Sequence, residues 1–151
     1  MALNTPFSSG NVLTAAQQNG LPFGYVANSV VTSAQTGITT ETDLTGFTAT
    51  FTAQANRVYM VIAMINAYGT AAQWANVYLA VNGTNVRAYR SAFGSTNVFN
   101  TEMYQHQFTV TAGSCTVKLR MARENSGAAV VNSYCDGNFQ GNLSVIDLGE
   151  R

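Results

Sequence analysis

From Gly24 onward, apolar and polar residues alternate in steps of two, and no stretch keeps a long helical period. Side chains point to opposite faces only in a β-strand, so this spacing predicts strands with one face in a core. Phe47, Ala49 and Phe51 alternate with Thr48, Thr50 and Thr52; Val77, Leu79 and Val81 alternate with Asn76, Tyr78 and Ala80. Cys115, Val117, Leu119 and Met121 point one way, while Thr116, Lys118, Arg120 and Ala122 point the other. Val58 to Ile65 is apolar in both phases, as expected of a central strand with one face in the core and the other against a neighbour.

Turn signals separate these runs. Asn82-Gly83 is a strong hairpin signal, with Val86 to Ser91 as its return strand. Thr111-Ala112-Gly113-Ser114 reads as a second hairpin turn and Glu124-Asn125-Ser126-Gly127 as a third. Glu102 to Phe108, Ala128 to Tyr134 and Asn142 to Leu148 read as further strands, with Gly137 and Gly141 marking a loop or bulge. The expected architecture is all-β: an antiparallel β-sandwich or jelly roll of eight to nine strands over residues 24–151. Residues 1–23, with both prolines, read as an N-terminal arm. Val12 to Gly20 would form one or two helical turns too short to stand alone, which must dock on their own domain or on a neighbouring subunit.

The 151 residues suit one domain, with no disulfide or metal needed for folding. Charged residues make up only 9% of the chain, against about 25% in a typical soluble domain. So small a share predicts a surface partly covered by partners or wetted by Thr, Asn, Ser and Gln. Seven basic residues balance seven acidic ones, which gives no electrostatic footprint for nucleic acid. The N-terminus lacks a secretory pattern, and the longest apolar run, eight residues, cannot span a bilayer. A soluble protein made in a cytoplasm is expected, with Cys115 and Cys135 as buried free thiols and a cross-strand disulfide as the minor alternative.

Residues suited to catalysis are sparse. His106 is the only histidine and sits in an apparent strand, sharing a face with Tyr104 and Phe108. It reads as a packing or interface residue, and in a symmetric oligomer it could respond to pH. No nucleophile elbow, phosphate loop, calcium loop or zinc spacing is present, so no enzyme, cofactor or metal is expected. Glu41 and Asp43 read as a solvated turn. Lys118 and Arg120 share the wet face of a strand and would pair with Glu102 or Glu124 of a neighbouring strand or subunit. Tyrosines opposite the core set, such as Tyr59 and Tyr78, suit a subunit interface, where aromatics are enriched and charges depleted. The candidate interface residues are Val12, Leu13, Ala16, Tyr59, Tyr78, Tyr104, His106 and Arg120. A glycan-binding surface is the alternative, with Tyr68, Trp74 and Phe93 in the segments 69–74 and 93–101 or beside them.

Four strings add a family likeness. Thr36 to Gly46, Phe108 to Ser114 with the strand ending at Arg123, and Leu143 to Gly149 resemble a module of tailed-bacteriophage virion proteins. The leader Phe7 to Gln17 is similar to the leaders of the same proteins. The resemblance implies a jelly roll like that of the complement globular head and tumour necrosis factor, assembled as a homotrimer. It also implies a place in the virion, after assembly in the host cytoplasm. The short arm and absent fibre shaft favour a capsid decoration (cement) protein that contacts the major capsid protein. The alternative is a tail, fibre or head-fibre module that grips a host glycan or receptor.

Overall fold

The computed structural model describes Gln18, residues 20–124 and residues 129–151. Val12, Leu13 and Ala16, the proposed helical turns at 12–20 except Gln18 and Gly20, and the turn at 125–127 lie outside the described residues. Among the described residues there are ten strands, all paired antiparallel: β1 (Gly24–Val31), β2 (Gln35–Ile38), β3 (Thr42–Ala53), β4 (Arg57–Gly69), β5 (Gln73–Val81), β6 (Thr84–Phe93), β7 (Asn100–Phe108), β8 (Gly113–Arg123), β9 (Val131–Ser133) and β10 (Gly141–Glu150). The strands read from the sequence match β3 to β10. The expected eight to nine leaves out β2, whose four residues are too few to show a period, and no strand is read over β1, where GYVANSVV lacks a clean alternation.

Sheet I runs β1-β10-β4-β9-β2, with β7 on the other edge of β4; sheet II runs β3-β8-β5-β6. The pairs nest: β1 with β10, β3 with β8, β4 with β7 and β5 with β6. A long two-stranded ribbon rolled over itself gives this order, which is a jelly-roll sandwich. The ribbon turns at Asn82-Gly83, where both residues take positive φ (49° and 83°), as a two-residue primed turn requires. The segment 109–112 does not close a hairpin, as its sequence suggested. It carries the chain from β7 in sheet I to β8 in sheet II. A local turn signal cannot distinguish a hairpin from a crossing between layers.

The core lies between the sheets. Phe47 and Phe51 of β3, Val77 and Leu79 of β5, and Cys115, Val117, Leu119 and Met121 of β8 meet Tyr59, Val61, Ala63 and Ile65 of β4 and Leu143 and Val145 of β10. Cys115 and Cys135 are both buried and unpaired, and burial pushes the Cys115 thiol up from its ordinary pKa. Gly141 is required by closeness: a Cβ there would sit 2.3 Å from the Phe47 ring and 2.8 Å from Cys135 Sγ.

One end of the core is closed by an ion pair. Arg57 and Asp147 are each 1% exposed and bond in a fork, Nε to Oδ2 at 2.6 Å and Nη2 to Oδ1 at 2.7 Å. Arg57 also donates to the carbonyl of Leu21 at 2.5 Å and lies over the Phe23 ring at 4.1 Å. Asp147 accepts from the Gly149 N–H at 2.7 Å. The pair thus ties the segment before β1 to the start of β4 and the end of β10.

Candidate functional site

Cross-strand register decides which residues share each outer face. On sheet I, Met60, Ile62, Met64 and Asn66 of β4 stand beside Ile146, Ser144 and Asn142 of β10. On the other side they meet Gln107, Gln105, Met103 and Thr101 of β7. Tyr25, Asn28 and Val30 of β1 complete the face. None of these residues carries a charge, and several are apolar and open: Tyr25, Val30, Met64 and Met103 are all exposed, Met103 to 69%.

Sheet II is the reverse. Its outer face carries Thr48 and Thr50 of β3, Thr116, Lys118 and Arg120 of β8, Asn76 and Tyr78 of β5, and Arg90 of β6. Asp43 accepts from Arg120 Nε at 2.6 Å and from Lys118 Nζ; Arg120 also reaches Glu41 at 3.2 Å, Asn85 at 3.1 Å and the Gly83 carbonyl at 3.2 Å. Arg90 pairs with Glu124 at 2.5 Å and stacks over Trp74 at 4.5 Å. The hydrogen bond from Lys118 lowers the Asp43 carboxyl most; desolvation opposes it, and Arg120 adds enough to keep the group below its ordinary value. Glu41 and Asp43 are solvent-exposed, as expected, but Asp43 lies in strand β3 rather than in a turn. They are the acidic half of this network, in place of the expected partners Glu102 and Glu124.

The sequence-derived interface residues scatter. Tyr59, placed on the outer face by its sequence, is 1% exposed in the core, where its ring packs on Phe51 at 4.8 Å. Its hydroxyl accepts from the Gln54 N–H at 2.8 Å, so the polar tip is satisfied at the sandwich edge. A strand apolar in both phases gives no clue to which phase points inward. Tyr104 is also buried. Its ring lies on Tyr89 at 4.7 Å, and its hydroxyl donates to Glu102, which also accepts from Ser91. Burial, then the Glu102 carboxylate, raises the Tyr104 pKa far above the ordinary tyrosine range. Tyr78 and Arg120 do face outward, on sheet II, both half-buried, with Arg120 held within its own sheet. His106 is half-buried at a cleft lined by Met60, Arg87, Tyr89, Gln105 and Gln107.

The alternative ligand residues separate too. Phe93 ends β6 and is buried, so it cannot touch a ligand. Trp74 lies on strand β5 under Arg90, not in a loop. Tyr68 stands at the far end of the sheet I face, packed on Phe99 at 4.8 Å and near Tyr134 at 6.4 Å. Phe99 and Tyr134 are 4.9 Å apart, and Phe139 lies 6.3 Å from Tyr134. Sequence reasoning missed Phe99, Tyr134 and Phe139 as a group because Phe99 comes from the β6–β7 loop and the other two from the β9–β10 loop, with no local pattern joining them.

Among the described residues, no group of three or more His, Cys, Asp and Glu could hold a metal ion, and no helix is long and apolar enough to cross a membrane. No family model and no curated protein matches the chain. Among solved structures, it is similar to the insecticidal delta-endotoxin Cry8Ea1 from Bacillus thuringiensis, with TM-score 0.44 and 14% identity over 80% of this chain and 19% of that one. It is also similar to dimeric latent PorU from Porphyromonas gingivalis, with TM-score 0.47 and 12% identity over 95% of this chain and 14% of that one. The chain thus spans less than a fifth of either protein, and neither likeness is close enough to carry an argument about function.

Proposed function

We propose that this chain is a structural protein that assembles as a homotrimer through the outer face of sheet I, and that it is a bacteriophage virion component of the capsid-decoration type. The observation that carries the assembly reading is the absence of charge among the described residues of that face from Met60 to Asn66 and their cross-strand neighbours. Residues nearest a three-fold axis meet their own copies, so a charge there would meet its like. Apolar side chains among Gln, Asn, Ser and Thr meet no such penalty, and interface centres are depleted in charge. Strand spacing and rise give the face a projected area of roughly 400–450 Å², a large part of the ~800 Å² per partner that stable contacts bury. The virion assignment is supported by the four strings that resemble phage structural proteins, and the sandwich fold is compatible with it. In that role the trimer would sit at local three-fold points of the shell and add buried contact across major capsid subunits.

Light scattering on the full chain should give a trimeric mass; a monodisperse monomer at micromolar concentration would overturn the assembly reading. Cryo-electron microscopy of purified virions should place its density on the shell. Density confined to the tail would reject the decoration role and leave the trimer standing.

A further inference from the structure

We infer that the cleft between Phe99 and Phe139 is a binding site for a single pyranose ring of an uncharged glycan. The cleft has a volume of about 250 Å³ and is lined by Asn66, Phe99, Thr101, Tyr134 and Phe139. That is below the ~300–1,000 Å³ of sites for drug-sized ligands, so it suits one ring rather than an extended chain.

Its rim is apolar and open. Phe99 is 52% exposed and Phe139 is 59% exposed, although both belong to an aromatic cluster that could have buried them. The loop that carries Phe139 is tied in place. Asp136 accepts from the Asn138 and Phe139 N–H groups at 2.7 Å each and from the Tyr134 hydroxyl at 3.0 Å, and its own N–H donates to the Phe139 carbonyl at 3.2 Å. A loop fixed this way holds its aromatic ring ready for a ligand and lowers the ordering cost of binding.

Its floor is polar and incompletely satisfied. Asn66 is only 9% exposed; its Oδ1 accepts from Thr101 at 2.5 Å, but its Nδ2 has only the Phe139 carbonyl, at 3.5 Å. A buried amide with so long a bond has donor capacity left for a ligand oxygen. The Tyr134 hydroxyl donates to Asp136, which leaves its oxygen free to accept.

These features select the ligand. A purely apolar group would leave the Asn66 amide poorly paired, which is costly when buried. No cation lines the cleft to favour an anion. A cation would need the Asp136 carboxylate, which already takes three hydrogen bonds from its own loop. A sugar ring presents C–H faces to Phe99 and Phe139 and hydroxyls to Asn66 and Tyr134, and so satisfies both surfaces. Asn66 and Thr101 end the outer face of sheet I, so the site requires that the trimer contact, centred on Ile62, stops short of them.

Saturation-transfer NMR and titration of the full chain with the methyl glycosides of glucose, galactose, mannose and N-acetylglucosamine test it. At least one should bind at millimolar concentration. Phe139→Ala should weaken that binding about tenfold or more, corresponding to about 1.4 kcal/mol. Tyr134→Phe should weaken it less, and Trp74→Ala should leave it unchanged. No binding by any of the four, or binding indifferent to Phe139→Ala in a folded protein, would overturn the proposal. Light scattering on the same samples keeps the two readings apart: a trimer without sugar binding removes only the sugar site, and a sugar-binding monomer removes only the assembly.

Discussion

The two sheets of this sandwich place their charges in opposite ways. Sheet I contributes Arg57 and Asp147 to a pair buried at one end of the core and leaves its outer face neutral. Sheet II carries Asp43, Lys118, Arg120 and Arg90 outside, with Glu41 and Glu124 as partners. The two arrangements carry different energies. An exposed network is weakened by water and salt, whereas a buried pair has lost its hydration and depends on its partner. Sheet II is thus equipped to face solvent. In the assembly proposed above, sheet I faces protein.

Breaking the buried pair should have the largest effect. Arg57→Met leaves Asp147 buried without its cation and should destabilise the fold by about 3–5 kcal/mol in urea unfolding, as one-sided loss of a buried pair does. Arg57→Met combined with Asp147→Leu should recover much of that loss. If the single variant unfolds like the native chain, the pair is no anchor.

Placing a charge on each outer face sharpens the contrast next. Ile62→Glu puts a carboxylate at the centre of the neutral face and should weaken self-association by about 100-fold, or ~2.7 kcal/mol. Thr116→Glu, on sheet II, should leave the mass unchanged at every concentration. Equal behaviour of the two variants in sedimentation or light scattering would erase the functional difference between the faces.

The smallest effect is expected from the exposed network. Asp43→Asn should cost at most about 1 kcal/mol, and less in high salt. Because Lys118 and Arg120 depress the folded-state pKa of Asp43, its contribution is complete above the ordinary aspartate value of 3.8 and is lost as pH falls through the lower folded value. Native and Asp43→Asn proteins should therefore converge in stability at strongly acid pH. A gap that persists there would exclude the ion pairs as its source.

The same contrast shows how far the sequence could be read. The strands β3, β5 and β8 were legible because their apolar residues keep one phase and their threonines, lysine and arginine keep the other. β4 was legible as a central strand but not in orientation, since Tyr59 and Met60 belong to phases of equal apolarity. Tyr59 went inward because its ring fits against Phe51 and its hydroxyl reaches the Gln54 N–H at the edge. The acidic partners of Lys118 and Arg120 were not legible. Asp43 lies opposite Arg120 only through the β3–β8 register, across a long sequence separation. The aromatic cleft was even less so, because its rings meet only where the β6–β7 and β9–β10 loops come together.

By itself, the sequence determined that the chain forms a weakly charged all-β sandwich, because a period of two and turn residues are local properties of the backbone. Tertiary structure alone decided which face of β4 is inside, that an exposed ion-pair network gathers on the outside of one sheet while the outward residues around β4 on the other carry no charge, and that Phe99, Tyr134 and Phe139 share a cleft. Those outcomes depend on strand order and register between distant segments, which no local pattern encodes.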